Sequence, residues 1–524
     1  MKFLNFNTKG KRIGLAIIIS TLLIVLPTLA AAGQNEAKMS EGPVILGMVD
    51  EPKDLNPISY PDVYSAFVLM QLFDPLVRTN PDGVVNTDGR AVAEDFQVSE
   101  DGLTYTFQLQ EGIKFHNGTE MTAEDVVFTI DSLRNDEEPV SPRKQDFEVI
   151  ESVEATGEYE VTVKLNKSFA PFLKAAMTSV YVLPKDYIQE NGWDAWEDVL
   201  IGTGPYTYEE YKTGSYIMLE RNTDYWRHPA YIEKIKFAFY PEYATAIMAL
   251  KKGEIHYMER LPANQWFQME KTKNVLARSH PKMAFWPLQM NQQKEPFNNV
   301  KVRKALAYAV DSNQVIMAER TDKLADNTRS PIPPIHPAHE NVMKYDQDIE
   351  KAKQLLAEAG YERVKTKLYT TPGTTEAQVI QQLVKPAGFD IELVELEWGS
   401  FLDNVESGNA PLWYSGWTGS ASAYSLLNLF HSESQWNWYT GFYSNKEFDR
   451  TFEAANREPD PEKRNELYKK CQRILVNEDM GIYIMYTRYA RKAMHESLHV
   501  PEDSWNPYMG AGPLVRAYEW YFEE

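Results

Sequence analysis

Between Leu103 and Leu109 apolar and polar residues alternate, rich in aromatic and β-branched side chains, and the run closes at Glu111-Gly112. A period of two predicts a half-buried strand. After a second turn at Asn117-Gly118, Val126, Val127, Ile130 and Leu133 supply a helical stripe. Thr122, with Asp125 three residues on, approximates a capping box that would start this helix. The same reading predicts strands over 44–48 and 161–165 and a helix through Phe67, Leu69, Leu72 and Phe73. It also predicts a helix beginning at Phe169, helices over 302–309 and 349–359, the latter ended by Gly360, and a last long helix over 461–477. Strand-like and helix-like runs alternate at 365–369, 377–383 and 391–395, which implies α/β lobes.

A chain of 524 residues exceeds what one hydrophobic core usually supports, so two or more lobes are expected. At the amino end Lys9, Lys11 and Arg12 precede an apolar run from Ile13 to Leu26, then Pro27 and Ala30-Ala31-Ala32. This is the pattern of a secretory leader cut near Ala32. Its removal takes away four cations and moves the net charge from −21 to −25. So acidic a chain, with no basic cluster breaking the pattern, argues against nucleic-acid binding. The single cysteine, Cys471, allows no intramolecular disulfide and lies far from the leader, so no lipid-anchor cysteine stands at the cut.

Enzyme signatures are sparse. There is no nucleophile elbow, phosphate-binding loop or dinucleotide fingerprint, and no catalytic residue, cofactor or metal site is assigned. His495-Glu496-Ser497-Leu498-His499 does spell the HExxH of zinc peptidases. That chemistry needs a helix, so that both histidines face one ion, and Pro501 limits any helix there. A secreted zinc peptidase is the rival class; it requires a helical 494–498.

Several segments together carry a resemblance. They are Asp101 to Phe107, Phe115-His116-Asn117-Gly118, Thr122 to Phe128, Gly202-Thr203-Gly204-Pro205-Tyr206, Leu219 to Trp226 and Phe297 to Asp311. This series resembles the extracytoplasmic solute-binding proteins of the peptide/nickel ABC importer family. The resemblance implies an α/β, two-lobed periplasmic-binding-protein fold with an additional subdomain and a two-strand hinge. The first lobe would span 33–288, with the subdomain at about 77–199, and be completed by 488–524; the second lobe would span 289–487. Crossings are expected near 286–291 and 485–489. The function implied is capture of an oligopeptide-like solute by lobe closure and delivery to an ABC permease in the cytoplasmic membrane. The carrier would be a periplasmic monomer without cofactor.

By the same resemblance the ligand would meet Asn56, Pro57 and Ser59 in the loop 54–59, and Trp413, Gly416, Trp417, Thr418, Ser420 and Ser422 in the segment 413–424. Peptide-binding members carry an aspartate, partner to the peptide's ammonium, where this chain has Ser420. A buried cation without a partner costs several kcal/mol, so the change argues against a free-amino peptide in the usual pose. Trp436, Asn437 and Trp438 add aromatic surface and a neutral amide; in an extended stretch the two tryptophans would share a face. An uncharged oligosaccharide is therefore the alternative ligand. His116 reads as satisfied locally.

Overall fold

A computed structural model describes residues 40–79, 85–86, 90–318, 323–418, 422–505 and 512–523. The leader and Ser420 lie outside the described residues.

Alternation along the chain translates into two seven-stranded sheets and a four-stranded one. In the first sheet the order is 275–280, 490–495, 257–258, 40–48, 232–239, 216–221, 206–212. Strand Ile232–Phe239 shows why it is central: Ile232, Ile235 and Phe237 are all fully buried. It runs parallel to Ser40–Met48 and antiparallel to its other neighbour, Tyr216–Arg221.

The second sheet orders 325–326, 483–488, 284–290, 412–414, 364–370, 389–395, with Trp417–Thr418 pairing the start of Ala284–Met290. Val364–Thr370 and Phe389–Glu395 are parallel neighbours joined through helix Thr375–Val384, a βαβ unit of the predicted kind. The four-stranded sheet, in the order 93–98, 104–109, 160–165, 150–157, builds the subdomain. Helix Ala123–Arg134 packs beside it through Val126, Ile130 and Leu133. Its capping box forms as expected, the Asp125 carboxylate accepting from the Thr122 backbone N–H at 2.8 Å.

Two passages join the large sheets. The chain leaves the first through Pro281-Lys282-Met283, just ahead of strand Ala284–Met290, and returns through Tyr489, between Tyr483–Arg488 and Ala490–His495.

Three local expectations change. The helix expected from Phe169 is a single turn, Phe172–Ala175, that begins only after Pro171. The last long helix is α-helical only over Pro461–Arg473 and continues as a π turn, Ile474–Glu478. Trp436 and Trp438 are not extended: Asn437–Thr440 is a 3₁₀ turn ended by left-handed Gly441.

Candidate functional site

Gly202-Thr203-Gly204-Pro205-Tyr206 packs against the end of helix Val63–Leu72. A Cβ on Gly204 would come within 2.4 Å of the Leu72 carbonyl carbon, so the turn is a close-packing device. His116 closes it. Its Nδ1 accepts from the Gly202 N–H at 3.1 Å and its Nε2 donates to the Gly204 carbonyl at 3.2 Å. Burial pushes this imidazole down to about 4, against an ordinary value of 6.5. A base depressed in the folded state stabilises fully above its unfolded value, and that contribution is lost as pH falls toward the folded one. We expect His116 to account for about 2 kcal/mol of stability lost between pH 7 and pH 5. Urea unfolding of the wild type and His116→Gln at both pH values measures it: the variant loses less on acidification, and equal losses would sink the assignment.

The loop 54–59 is tied to itself. Asn56 is buried, its Oδ1 accepting from the Ile58 N–H and its Nδ2 donating to Glu197 at 3.0 Å. Ser59 donates to Asp54 at 2.5 Å, and Pro57 is buried with its carbonyl accepting from Arg143. The polar groups of Asn56 and Ser59 are committed to holding the loop's shape.

Of the second segment, Trp413 turns inward. It is fully buried in a cluster with Phe401, Val405 and Ala410, which makes it a core residue rather than a ligand platform. Ser422 caps helix Ala423–Leu427 by accepting from the Ser425 N–H at 3.1 Å; it also borders a cavity of about 510 Å³ lined by Leu173, His336 and Tyr468. Asn437 donates to the carbonyls of His431 and Tyr443, so its amide is occupied.

The rest converge. Trp417 lies 5.6 Å from Trp436 and 5.0 Å from Tyr439, and Trp436 lies 6.1 Å from Trp438. Tyr439 fixes the turn before Trp417 by donating to Ser415 Oγ at 2.8 Å and to the Gly416 carbonyl at 3.0 Å. Gly416 has a steric role: a Cβ there would fall 2.1 Å from Trp286 Cε2.

Trp286 was not among the expected ligand residues, and it opens the larger part of the site. Its indole is parallel to Tyr486 at 6.3 Å, with Arg488 4.5 Å and Lys282 5.0 Å from the ring centre. Arg488 pairs with the buried carboxylate of Glu376 at 2.8 Å, and both Tyr414 and Tyr486 donate to the same oxygen. Lys492 pairs with Glu259 at 2.9 Å, and Tyr257 also donates to that carboxylate. Around the two passages the fold thus gathers cations that are dispersed in sequence. The local signal was Arg488-Tyr489-Ala490-Arg491-Lys492, three cations in five residues, too short to count as a basic cluster in sequence.

A second contact zone lies away from the passages. Tyr424 donates to Asp146 at 3.0 Å and meets Phe169 edge-on at 5.0 Å, and the Ala170 N–H donates to the Asn456 carbonyl at 2.7 Å. These bonds join the subdomain to helices that flank the second sheet.

The HExxH residues do not form a helix. His495 ends strand Ala490–His495 and bonds Ser497, while His499 lies in strand Leu498–His499 and bonds Glu523. Among the described residues no group of three metal-ligating side chains converges, and no helix is long and apolar enough to cross a membrane.

Comparison with known proteins agrees with this architecture. A family model, bacterial extracellular solute-binding proteins, family 5 Middle, matches residues 90–438. The chain is 27% identical over 537 residues to the oligopeptide-binding protein AppA of Bacillus subtilis strain 168, covering 93% of this chain and 96% of that protein. It is 29% identical over 432 residues to the dipeptide-binding protein of Escherichia coli strain K12, covering 76% and 80%. The solved structure of AppA with a nonapeptide superposes with a TM-score of 0.80 at 25% identity, over 93% of this chain and 100% of that one. The Helicobacter pylori protein DppA, in complex with the peptide STSA, does so with a TM-score of 0.80 at 26% identity, over 92% and 98%.

Proposed function

Because the chain belongs to family 5 of the bacterial extracellular solute-binding proteins, we propose that it captures a peptide-like solute between its two lobes and hands it to an ABC permease. The observation that carries this reading is the aromatic platform of Trp286, Trp417 and Trp436 beside the two strand passages. Flat apolar surface next to a pivot grips a ligand that both lobes then enclose. Relatives named for oligopeptide and dipeptide binding support peptide as the solute. On this reading the chain is a carrier without a reaction of its own, working outside the cytoplasm with its leader removed near Ala32. The first lobe runs from 33 to the passage at 281–283 and resumes after Tyr489, with the second lobe between; strand Ala284–Met290, expected to end the first lobe at 288, pairs within the second sheet and moves that boundary back.

Native mass spectrometry of protein purified from its own extracytoplasmic compartment, followed by release of bound small molecules, tests it. A mixture of peptides is expected. Release of a neutral saccharide instead would overturn the peptide reading and retain the carrier.

A further inference from the structure

Lys282 stands in the three-residue passage between the sheets. Its Nζ donates to Thr418 Oγ1 at 3.2 Å and faces the Trp286 indole. Among the described residues it makes no ion pair. Burial holds its ammonium well below the usual lysine value, and Arg260, Arg488 and Arg491 press in the same direction, opposed by Glu259. Arg260 makes no ion pair with a described residue either, and lies over the Tyr64 ring at 5.7 Å. Its backbone is held in the left-handed region, φ 61°, which fixes where this side chain starts. The nearby carboxylates are engaged elsewhere, Glu376 by Arg488 and two tyrosines, Glu259 by Lys492 and Tyr257. The positive charge therefore outnumbers the negative at the pivot of a chain whose net charge is −21.

We propose that this pivot is a carboxylate site, so that the ligand meets the Gly416-Trp417-Thr418 segment with an anionic group held by Lys282, rather than with an ammonium. Like charges crowded in a half-buried cleft repel, and an anion entering among them relieves that repulsion. The aromatic platform then takes the apolar remainder of the ligand. This inference rests on the peptide-carrier reading.

The test uses two matched pools of tri- to hexapeptides made only from Ala, Leu, Ser, Phe and Gln. One pool is N-acetylated with free carboxyl ends; the other has free amines and amidated carboxyl ends. Each competes for protein stripped of bound solute, read by native mass spectrometry. The wild type is expected to retain the acetylated acids at least tenfold more strongly than the amine amides. Lys282→Met is expected to reduce that preference at least tenfold, and Lys282→Arg to keep it. Equal or stronger retention of the amine amides overturns the carboxylate site and leaves the peptide carrier standing. Retention of neither pool overturns both.

Discussion

Replacing Glu376 with leucine is expected to lower stability by about 3–5 kcal/mol, the cost of leaving a buried charge without its partner. The Glu376 side chain is 1% exposed and that of Arg488 17%, so water does little to solvate the guanidinium once the carboxylate is gone. Tyr414 and Tyr486, both buried and 2.6 Å apart at their hydroxyls, lose a shared acceptor in the same step. Because the pair joins helix Thr375–Val384 to the strand that leads into the Tyr489 passage, the loss should be felt in the whole second sheet. Guanidinium unfolding of Glu376→Leu and of the double variant Glu376→Leu/Arg488→Leu separates the terms. Removing both charges should recover most of the loss, since a buried ion pair contributes little net stability over apolar side chains of similar size. A single variant as stable as the wild type would show that this pair is hydrated and the argument mistaken.

Gly416→Ala is expected to be the most damaging single-methyl change in the aromatic platform. The added carbon would lie 2.1 to 2.6 Å from three ring carbons of Trp286. The indole has Tyr486, Arg488 and Lys282 around it, so it cannot yield without disturbing the sheet and the cation group together. Overpacking of this kind costs about 3 kcal/mol, the upper part of its usual range. The altered indole environment should also move the tryptophan emission and remove at least tenfold of the affinity for the co-purifying solute. Gly399→Ala is the control, since its Cβ meets nothing within 4 Å in helix Trp398–Glu406. It should be neutral or slightly stabilising. If both variants unfold at the same denaturant concentration, Gly416 is not the tight contact described.

The fold was legible wherever one local rule settled a segment. Asp125 caps its helix, the alternation from Thr104 to Leu109 pairs as a strand, and the resemblance supplied the lobes. Rules of short range failed where a neighbour decided. Nothing near Trp413 distinguishes it from Trp417: both pair with strand Ala284–Met290, and only the helix Trp398–Glu406 laid over one of them makes it core. Whether Trp436 and Trp438 share a face hangs on the stretch being extended, and a 3₁₀ turn of four residues leaves no periodicity to decide it. Asn56 and Ser59 have the side chains a ligand would want, and the loop's own backbone and Asp54 reached them first. The cations at the pivot were illegible for another reason. Arg260 lies in the loop after strand Tyr257–Met258, Lys282 in one passage and Arg488 at the end of a strand of the other sheet, so only topology gathers them.

That topology also governs when the molecule comes into being. Strand Ala490–His495 lies between 257–258 and 275–280, and Gln71 donates to the carbonyl of Leu514 across a separation of 443 residues. Until residues 490–495 are made, strand 275–280 has no place in the first sheet, because the strand that joins it to the rest is missing. Contacts of such span make folding slow and leave unpaired strand edges exposed until the end. The first sheet therefore stays incomplete at one edge until late in synthesis, an exposed edge that a chaperone or a translocation machine can engage before the first lobe closes.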